Sequence, residues 1–320
     1  MAVERRDGRW DVEIHAWSFR LRARRLVIPL ARKIVGLERT RLTPDQKAIC
    51  AERARWLFVD NKRGRTVSVS RAGVARILGR TRANGRLRTS VTLETRPGED
   101  GGVTCAIAAR RIRRGRRAPA WEPLEIHWLE RDGLSIVSDI DDTIRVSHVG
   151  DRRALLRTTF LERFNPVDGM AEVFRAWAGP SVRFHYVSAT PWQLYVPMRD
   201  FIDTNAFPRG TFHLKDFRWR DRTFFNLFAP PDRFKIASIA ALLKRLPDRR
   251  FILVGDSGER DPEVFGQLAR DYPRQVRKIF IRDLGGAATA SRCRTAFAGV
   301  DADVWLLFRD PGTLPKNPME

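Results

Sequence analysis

The chain has 320 residues, 43% of them hydrophobic, enough to bury the cores of two ordinary domains. Its 60 Lys and Arg against 38 Asp and Glu leave a formal charge of +22, a balance that attracts polyanions such as anionic lipid, nucleic acid or acidic protein. No run reaches the ~18 apolar residues of a membrane-spanning helix, and three scattered cysteines, Cys50, Cys105 and Cys293, count against a disulfide framework or a zinc ribbon. The opening MAVERRDGRW carries charge where a secretory leader needs an apolar core, so the expectation is a cytoplasmic protein. The charge is uneven. Residues 1–133 hold 31 Lys and Arg against 15 Asp and Glu. A general bias toward arginine gives the same surplus with no partner at all.

In chain order, residues 1–42 are the hardest to read; RLVIPLARKIVGL (25–37) fits a short helix or a strand, and the segment is expected to be partly helical. TPDQKAICAERARWLF (43–58) reads as a helix, with Thr43 as cap, Pro44 in the first turn and Gln46 closing a capping box. TVSVS (66–70) directs Val67 and Val69 to one side. NGRLRTSVTL (84–93) follows an Asn-Gly turn, with Leu87, Val91 and Leu93 on one side and Arg86, Arg88 and Ser90 on the other. VTCAIAA (103–109) and PLEIHWLE (123–130) repeat the period of two. Residues 43–132 are therefore expected to form a basic β-sandwich-like domain. Within it RRIRRGRR (110–117) is a loop or an arginine-rich strand end.

After Asp132-Gly133 the pattern changes. Apolar strands at LSIVSD (134–139), VRFHYVS (182–188), TFHL (211–214), FILVGDS (251–257) and RKIFIRD (277–283) alternate with helices. The helices are read at DGMAEVFRAWA (168–178), from Trp192 to about Asn205, at DRFKIASIAALLKRL (232–246) and at DPEVFGQLARDY (261–272). Such alternation predicts an α/β domain over 133–320, a parallel sheet covered on both faces. Ligands of such sheets bind beyond the carboxyl ends of the strands. There stand Asp139 and Asp141, then Ser188, then Gly255-Asp256. Asp139, Asp141 and Asp256 would converge, and like charges packed together need a cation among them. Oxygen ligands alone favour Mg²⁺ over zinc.

The order of these features carries more information than any one of them. A strand ending DxDxT, a strand ending in Ser, a Lys opening a helix and a strand ending GDxxxxD resemble the four signatures of the haloacid dehalogenase (HAD) phosphatases. SDIDDTI, HYVSATPWQLY, GTFHLKDFR and FILVGDSGERDPEVF narrow the resemblance to the catalytic domain of the actin-patch type Mg²⁺-dependent phosphatidate phosphatases, over roughly residues 133–310. RARWLFVDN through ANGRLRTSVTL resembles the β-sandwich region that precedes this domain in bacterial relatives. One departure is Phe234, where many relatives have His before the lysine.

The resemblance implies a HAD-like Rossmannoid fold and a set of roles. Asp139 would attack phosphorus and Asp141 would serve as general acid and base. Ser188 and Lys235 would hold the phosphoryl oxygens, with Lys215 as a rival lysine, and Thr143 would assist them and steady Asp139. Mg²⁺ would lie between Asp139, the Asp141 carbonyl and Asp256, supported by Asp261 with Glu259 competing for that role. Asp142 orients the loop or is an exposed turn residue. His148 belongs to a flap or an exposed loop, and His185 is a packed histidine. Trp192, Leu194 and Tyr195 are helix packing or a lipid contact. Thr143 to Ser188 spans 45 residues and Ser188 to Lys235 spans 47, and core elements use most of both, so no large cap is expected. An open site suits a bulky phosphomonoester. Family likeness selects phosphatidate, with the basic N-terminal region docking peripherally on anionic membrane. The alternatives are a capless protein or polynucleotide phosphatase, and an inactive lipid- or polyanion-binding module.

Overall fold

A computed structural model of the chain describes residues 1–21, 41–71, 74–96, 104–108, 121–216, 232–286 and 288–320. RLVIPLARKIVGL and RRIRRGRR lie outside them. The chain gathers into two compact units: Met1–Ala23 with Phe58–Arg131, and Arg24–Leu57 with Asp132–Glu320. One division falls between Arg131 and Asp132, next to the expected boundary at 132, whereas the others fall at 23 and 57 rather than at 42. The opening segment shares a unit with residues beyond 58, and the helix after Thr43 joins the second unit.

The first unit is built from β1 (Ala2–Glu4), β2 (Trp10–Trp17), β3 (Phe19–Leu21), β4 (Val59–Asn61), β5 (Thr66–Arg71), β6 (Val74–Arg80), β7 (Arg86–Leu93), β8 (Thr104–Ala108), β9 (Glu122–Pro123) and β10 (Trp128–Leu129). Its sheets run β10-β1-β2-β7 and β6-β5-β8-β9, with a β3-β4 ribbon. The described opening residues are strand rather than helix. Trp10, Val12, Ile14 and Ala16 are buried while the residues between them are not, a period of two that only a strand can satisfy. Val12, Ile14 and Val91 of one sheet share a core with Val69 of the other, so the sheets face each other. PLEIHWLE forms no continuous strand: β9 pairs with β8 and β10 pairs with β1, and the chain passes from one sheet to the other between them. Leu124, Ile126 and Trp128 still pack on the core, which preserves the alternation without the ladder.

In the second unit α1 (Pro44–Leu57) begins with the expected box: the Gln46 amide donates to Thr43 Oγ1 at 3.2 Å and the Thr43 amide to Gln46 Oε1 at 3.1 Å. Arg53 of this helix is buried. Its guanidinium donates to the carbonyls of Thr158 and Thr159 at the end of α2 (Arg152–Phe160), and lies 3.7 Å from the centre of the Phe164 ring. The other helices are α3 (Met170–Trp177), α4 (Tyr195–Thr204), α5 (Asp232–Arg245), α6 (Asp261–Asp271) and α7 (Thr289–Ala296). Among the described residues no helix is long and apolar enough to cross a membrane.

The sheet joins β11 (Leu134–Asp139), β12 (Val182–Pro191), β13 (Gly210–Lys215), β14 (Arg250–Asp256), β15 (Val276–Arg282) and β16 (Trp305–Phe308), all parallel, in the order β13-β12-β11-β14-β15-β16. RKIFIRD is thus not the last strand; β16 follows it. Ile136, Phe184, Tyr186, Ile252 and Val254 form one core with Phe174 of α3 and Met198 and Phe201 of α4. Val137, Leu253 and Ile281, alternating with them, are buried as well. The winding leaves β11 in one direction and resumes at β14 on its other side. That reversal opens a crevice beyond the carboxyl ends of β11 and β14.

The opposite end of the sheet is tied by a polar network. Buried Arg249 donates to Ser135 Oγ at 2.9 Å, to the carbonyls of Leu134 and Ser181 at 2.5 and 2.8 Å, and to that of Asp132. Ser135 meets His185 Nε2, whose Nδ1 meets Thr211 Oγ1, so one chain of contacts crosses β11, β12 and β13. His185 is indeed a packed histidine. Replacing Arg249 by Met removes these donors and leaves buried carbonyls unpaired; urea unfolding should show a loss of about 3 kcal/mol.

Candidate active site

The crevice collects charge because of where the strands stop. β11 ends on Asp139 and its neighbour β14 ends on Asp256. The turn after β14 supplies Glu259, and Asp261 opens α6. Lys235, in the first turn of α5, projects among them. Its Nζ lies 2.8 Å from Asp139 Oδ1, 2.8 Å from Glu259 Oε2 and 2.5 Å from Asp261 Oδ1. Lys235, and not Lys215, is the lysine that meets Asp139. Thr143 Oγ1 donates to Asp139 Oδ2 at 3.4 Å and to Asp256 Oδ2 at 3.5 Å. Gly255 is needed for this packing, because a Cβ there would stand 2.4 Å from Asp261 Oδ2 and 2.7 Å from the Phe265 ring.

Four carboxylates, Asp139, Asp256, Glu259 and Asp261, thus surround one ammonium. Burial pushes Asp139 well above the usual carboxylate range; Lys235 opposes the shift, and Asp261, Glu259 and Asp256 add to it. Burial likewise pushes Asp256 well above that range and raises Glu259. Burial disfavours the Lys235 ammonium, but the carboxylates prevail and hold its proton well above the usual lysine range. Ligand atoms of Asp139, Glu259 and Asp261 lie within 4.8 Å of one another, and all are oxygens. That all-oxygen donor set is of the kind that holds a hard divalent cation such as Mg²⁺, and the Lys235 ammonium stands against the same three residues. The set expected from sequence was Asp139, the Asp141 carbonyl, Asp256 and Asp261, and this cluster shares Asp139 and Asp261 with it. Glu259 stands in the cluster, and Asp256 lies beside it, its Oδ1 accepting the amides of Gly258 and Glu259.

Asp141 points elsewhere. Arg145, itself buried, reaches its Oδ1 through Nε at 3.1 Å and also through Nη2. Ser188 Oγ and Thr190 Oγ1 donate to its Oδ2 at 3.1 and 3.3 Å. Burial works against ionisation of Asp141, but the Arg145 charge and these hydrogen bonds hold its carboxyl below the usual range. Ser188 is therefore a partner of Asp141. Arg145 and Thr190 were not singled out from sequence. The spacing of Arg145, four residues after Asp141 inside DIDDTIR, was the available signal. Arg292, also missed, carried no such signal: it comes from α7 to donate to the carbonyls of Ser257 and Glu259, fixing the turn from a distant part of the chain.

Asp142 is not an exposed turn residue. It is buried, with a positive φ of 54°, and its carboxylate accepts the amides of Ser147, His148 and Val149 at 2.7, 2.9 and 2.6 Å. Its carbonyl accepts from Arg282. It closes the loop after β11 on itself, with His148 exposed at the bend. Leu194 is buried and Trp192 and Tyr195 pack on the core, as helix packing requires. An Asp142→Ala substitution should free the three amides, and hydrogen exchange at Ser147, His148 and Val149 should quicken about thirtyfold for a loss of about 2 kcal/mol.

Residues 134–283 match the family model described as phosphatidate phosphatase APP1, catalytic domain. The phosphatidate phosphatase APP1 of Saccharomyces cerevisiae is 34% identical over 172 residues, which are 52% of this chain and 29% of the yeast protein. The uncharacterized protein C29B5.04c of Schizosaccharomyces pombe is 32% identical over 164 residues, 50% of this chain and 27% of that protein. The chain therefore spans less than a third of either relative. The matched segment, just under half of the chain, holds β11 to β15 and every carboxylate of the crevice, and over it the chain is similar to the APP1 phosphatidate phosphatase catalytic domain.

Proposed function

We propose that the chain is a Mg²⁺-dependent phosphomonoester hydrolase of HAD type that acts on phosphatidate at a membrane surface. The observation that carries this reading is the buried set of carboxylates around Lys235 at the carboxyl ends of β11 and β14, within the segment that matches the family. Asp139, Glu259 and Asp261 would hold the cation, with Asp256 next to them. When bound, it supplies positive charge that shields the attacking carboxylate from the phosphate dianion.

In this scheme Asp139 attacks phosphorus and the bond to the lipid oxygen breaks, leaving an aspartyl phosphate. Asp141 gives that oxygen a proton as it departs, then takes one from the water that attacks phosphorus and frees Asp139. Arg145 keeps Asp141 ionised in the free enzyme. A phosphoryl dianion arriving beside it raises its affinity for the proton that the leaving oxygen needs. Lys235 and Ser188, which touch Asp139 and Asp141, would hold phosphoryl oxygens, and Thr143, which touches Asp139, would steady the nucleophile.

The first span between motifs holds α2 and α3, and the described part of the second holds α4 and β13. Elements this small support a site without a large cap, open to a substrate that stays in its bilayer. Phosphatidate in mixed micelles should release phosphate only with Mg²⁺; turnover of phosphopeptides or of 5′-phosphorylated oligonucleotides in its place would overturn the lipid reading. Asp139→Asn should lower kcat at least about a thousandfold. Glu259→Gln should raise the Mg²⁺ concentration for half-activity about tenfold, read from a metal titration.

A further inference from the structure

We propose that edge strand β6, with the arginine-lined concavity at its carboxyl end, is a docking surface for an anionic phospholipid bilayer. Among the described residues β6 pairs on one side only, with β5. It carries two large aliphatic side chains in solvent, Val74 at 74% and Ile77 at 71% exposure, the most exposed large hydrophobics among the described residues. Three residues apart in a continuous stretch of the ladder, they lean to opposite faces of the sheet, so what they share is its free edge, and an edge that exposes apolar side chains invites a partner.

What surrounds them selects the partner. A concavity of about 870 Å³ is lined by Arg63, Gly64, Arg80, Thr81, Arg82 and Ala83. It is held in shape from beneath. Buried Thr81 donates from Oγ1 to the Lys62 carbonyl at 2.6 Å and accepts the Arg65 amide at 3.0 Å, while its own amide donates to the Arg65 carbonyl. These bonds fasten segment 62–65 to segment 80–83 and so fix the backbone that carries the three arginines. Among the described residues none of Arg63, Arg76, Arg80 and Arg82 has a carboxylate partner. The unit they belong to holds 22 Lys and Arg against 11 Asp and Glu.

Guanidinium groups around a fixed concavity recognise phosphate, and aliphatic tips beside them enter the headgroup boundary. Single-stranded nucleic acid would call for aromatic stacking, and β6 has no aromatic residue. Edge pairing with a second copy would bring the like charges of Arg76 and Arg80 together. The occupant argued for is therefore a lipid surface. A lipid substrate, as proposed above, gives the docking its use, but the docking can be measured without it.

The test uses the full chain and vesicles containing phosphatidylserine, which is not a phosphomonoester substrate. Wild type should sediment with vesicles of phosphatidylcholine and phosphatidylserine, and not with phosphatidylcholine alone. Replacing Arg63, Arg80 and Arg82 by Ala should weaken binding about fivefold per residue, about a hundredfold together. A separate Val74→Ser, Ile77→Ser variant should lose about tenfold. Both variants should hydrolyse a short-chain, water-soluble phosphomonoester as wild type does, which separates loss of docking from loss of catalysis. Equal binding to both vesicle types, or wild-type binding by both variants, would overturn the proposal. So would an oligonucleotide or a self-association that depends on these residues while vesicles do not bind.

Discussion

Burying several carboxylates beside one ammonium is the constraint around which the catalytic unit is arranged. Reversal of the winding between β11 and β14 forces two strand ends that stop on aspartate to lie side by side. The surroundings then act to make that tolerable. Lys235 is drawn in from α5, Gly255 omits a side chain so that Asp261 can approach, and Arg292 grips the carbonyls of the turn bearing Glu259. The same sheet meets the opposite problem at its other end. There carbonyls gather at the starts of β11 and β12, and the Arg249 guanidinium donates to them. One sheet thus holds a cation among oxygens at both ends. One end is tied by hydrogen bonds; at the other, carboxylates outnumber the ammonium, and burial raises the proton affinity of Asp139, Asp256 and Glu259.

Two aspartates two residues apart receive opposite treatment. Burial among other carboxylates resists the charge of Asp139, whereas Arg145, Ser188 and Thr190 favour the charge of Asp141. Two titratable groups pushed apart in this way are a common basis for dividing chemical roles at one site. Asp142, between Asp141 and Thr143, belongs to neither role. It spends its carboxylate on three backbone amides and so sets the course of the loop that leaves the site.

Most of the second unit was legible because its strands are continuous apolar runs; a cap helped only at α1, for α3, α4 and α6 begin without a side-chain cap. Thr43 and Gln46 show how local such signals are. Asp139 and Asp256 could be placed because a parallel sheet brings strand ends together whatever their separation in the chain; Lys235, on a helix, was placed by the family resemblance. Arg292 could not, because nothing near it in sequence refers to the turn it holds. Glu259 and Asp261 were both in view, but their relation to a cation depends on how the turn after β14 closes, which spacing does not fix. In the first unit the alternation in WDVEIHAW was present and was obscured by the arginine-rich stretch after it. PLEIHWLE kept its alternation but lost its ladder, since a period of two reports which way side chains face and not which sheet the backbone joins.

The helix Pro44–Leu57 has a consequence of another kind. It belongs with the catalytic unit, yet β1 to β3 of the other unit precede it and β4 to β10 follow it. β2 and β7 pair across this interruption, register by register, from Trp10↔Leu93 to Trp17↔Arg86. The two units are therefore braided along the chain. No single break in the gene, and no single crossover between genes, passes one of them on whole without taking part of the other. Recombination can move this catalytic unit together with its small β companion, or a core stripped of its first helix, but not the complete unit alone.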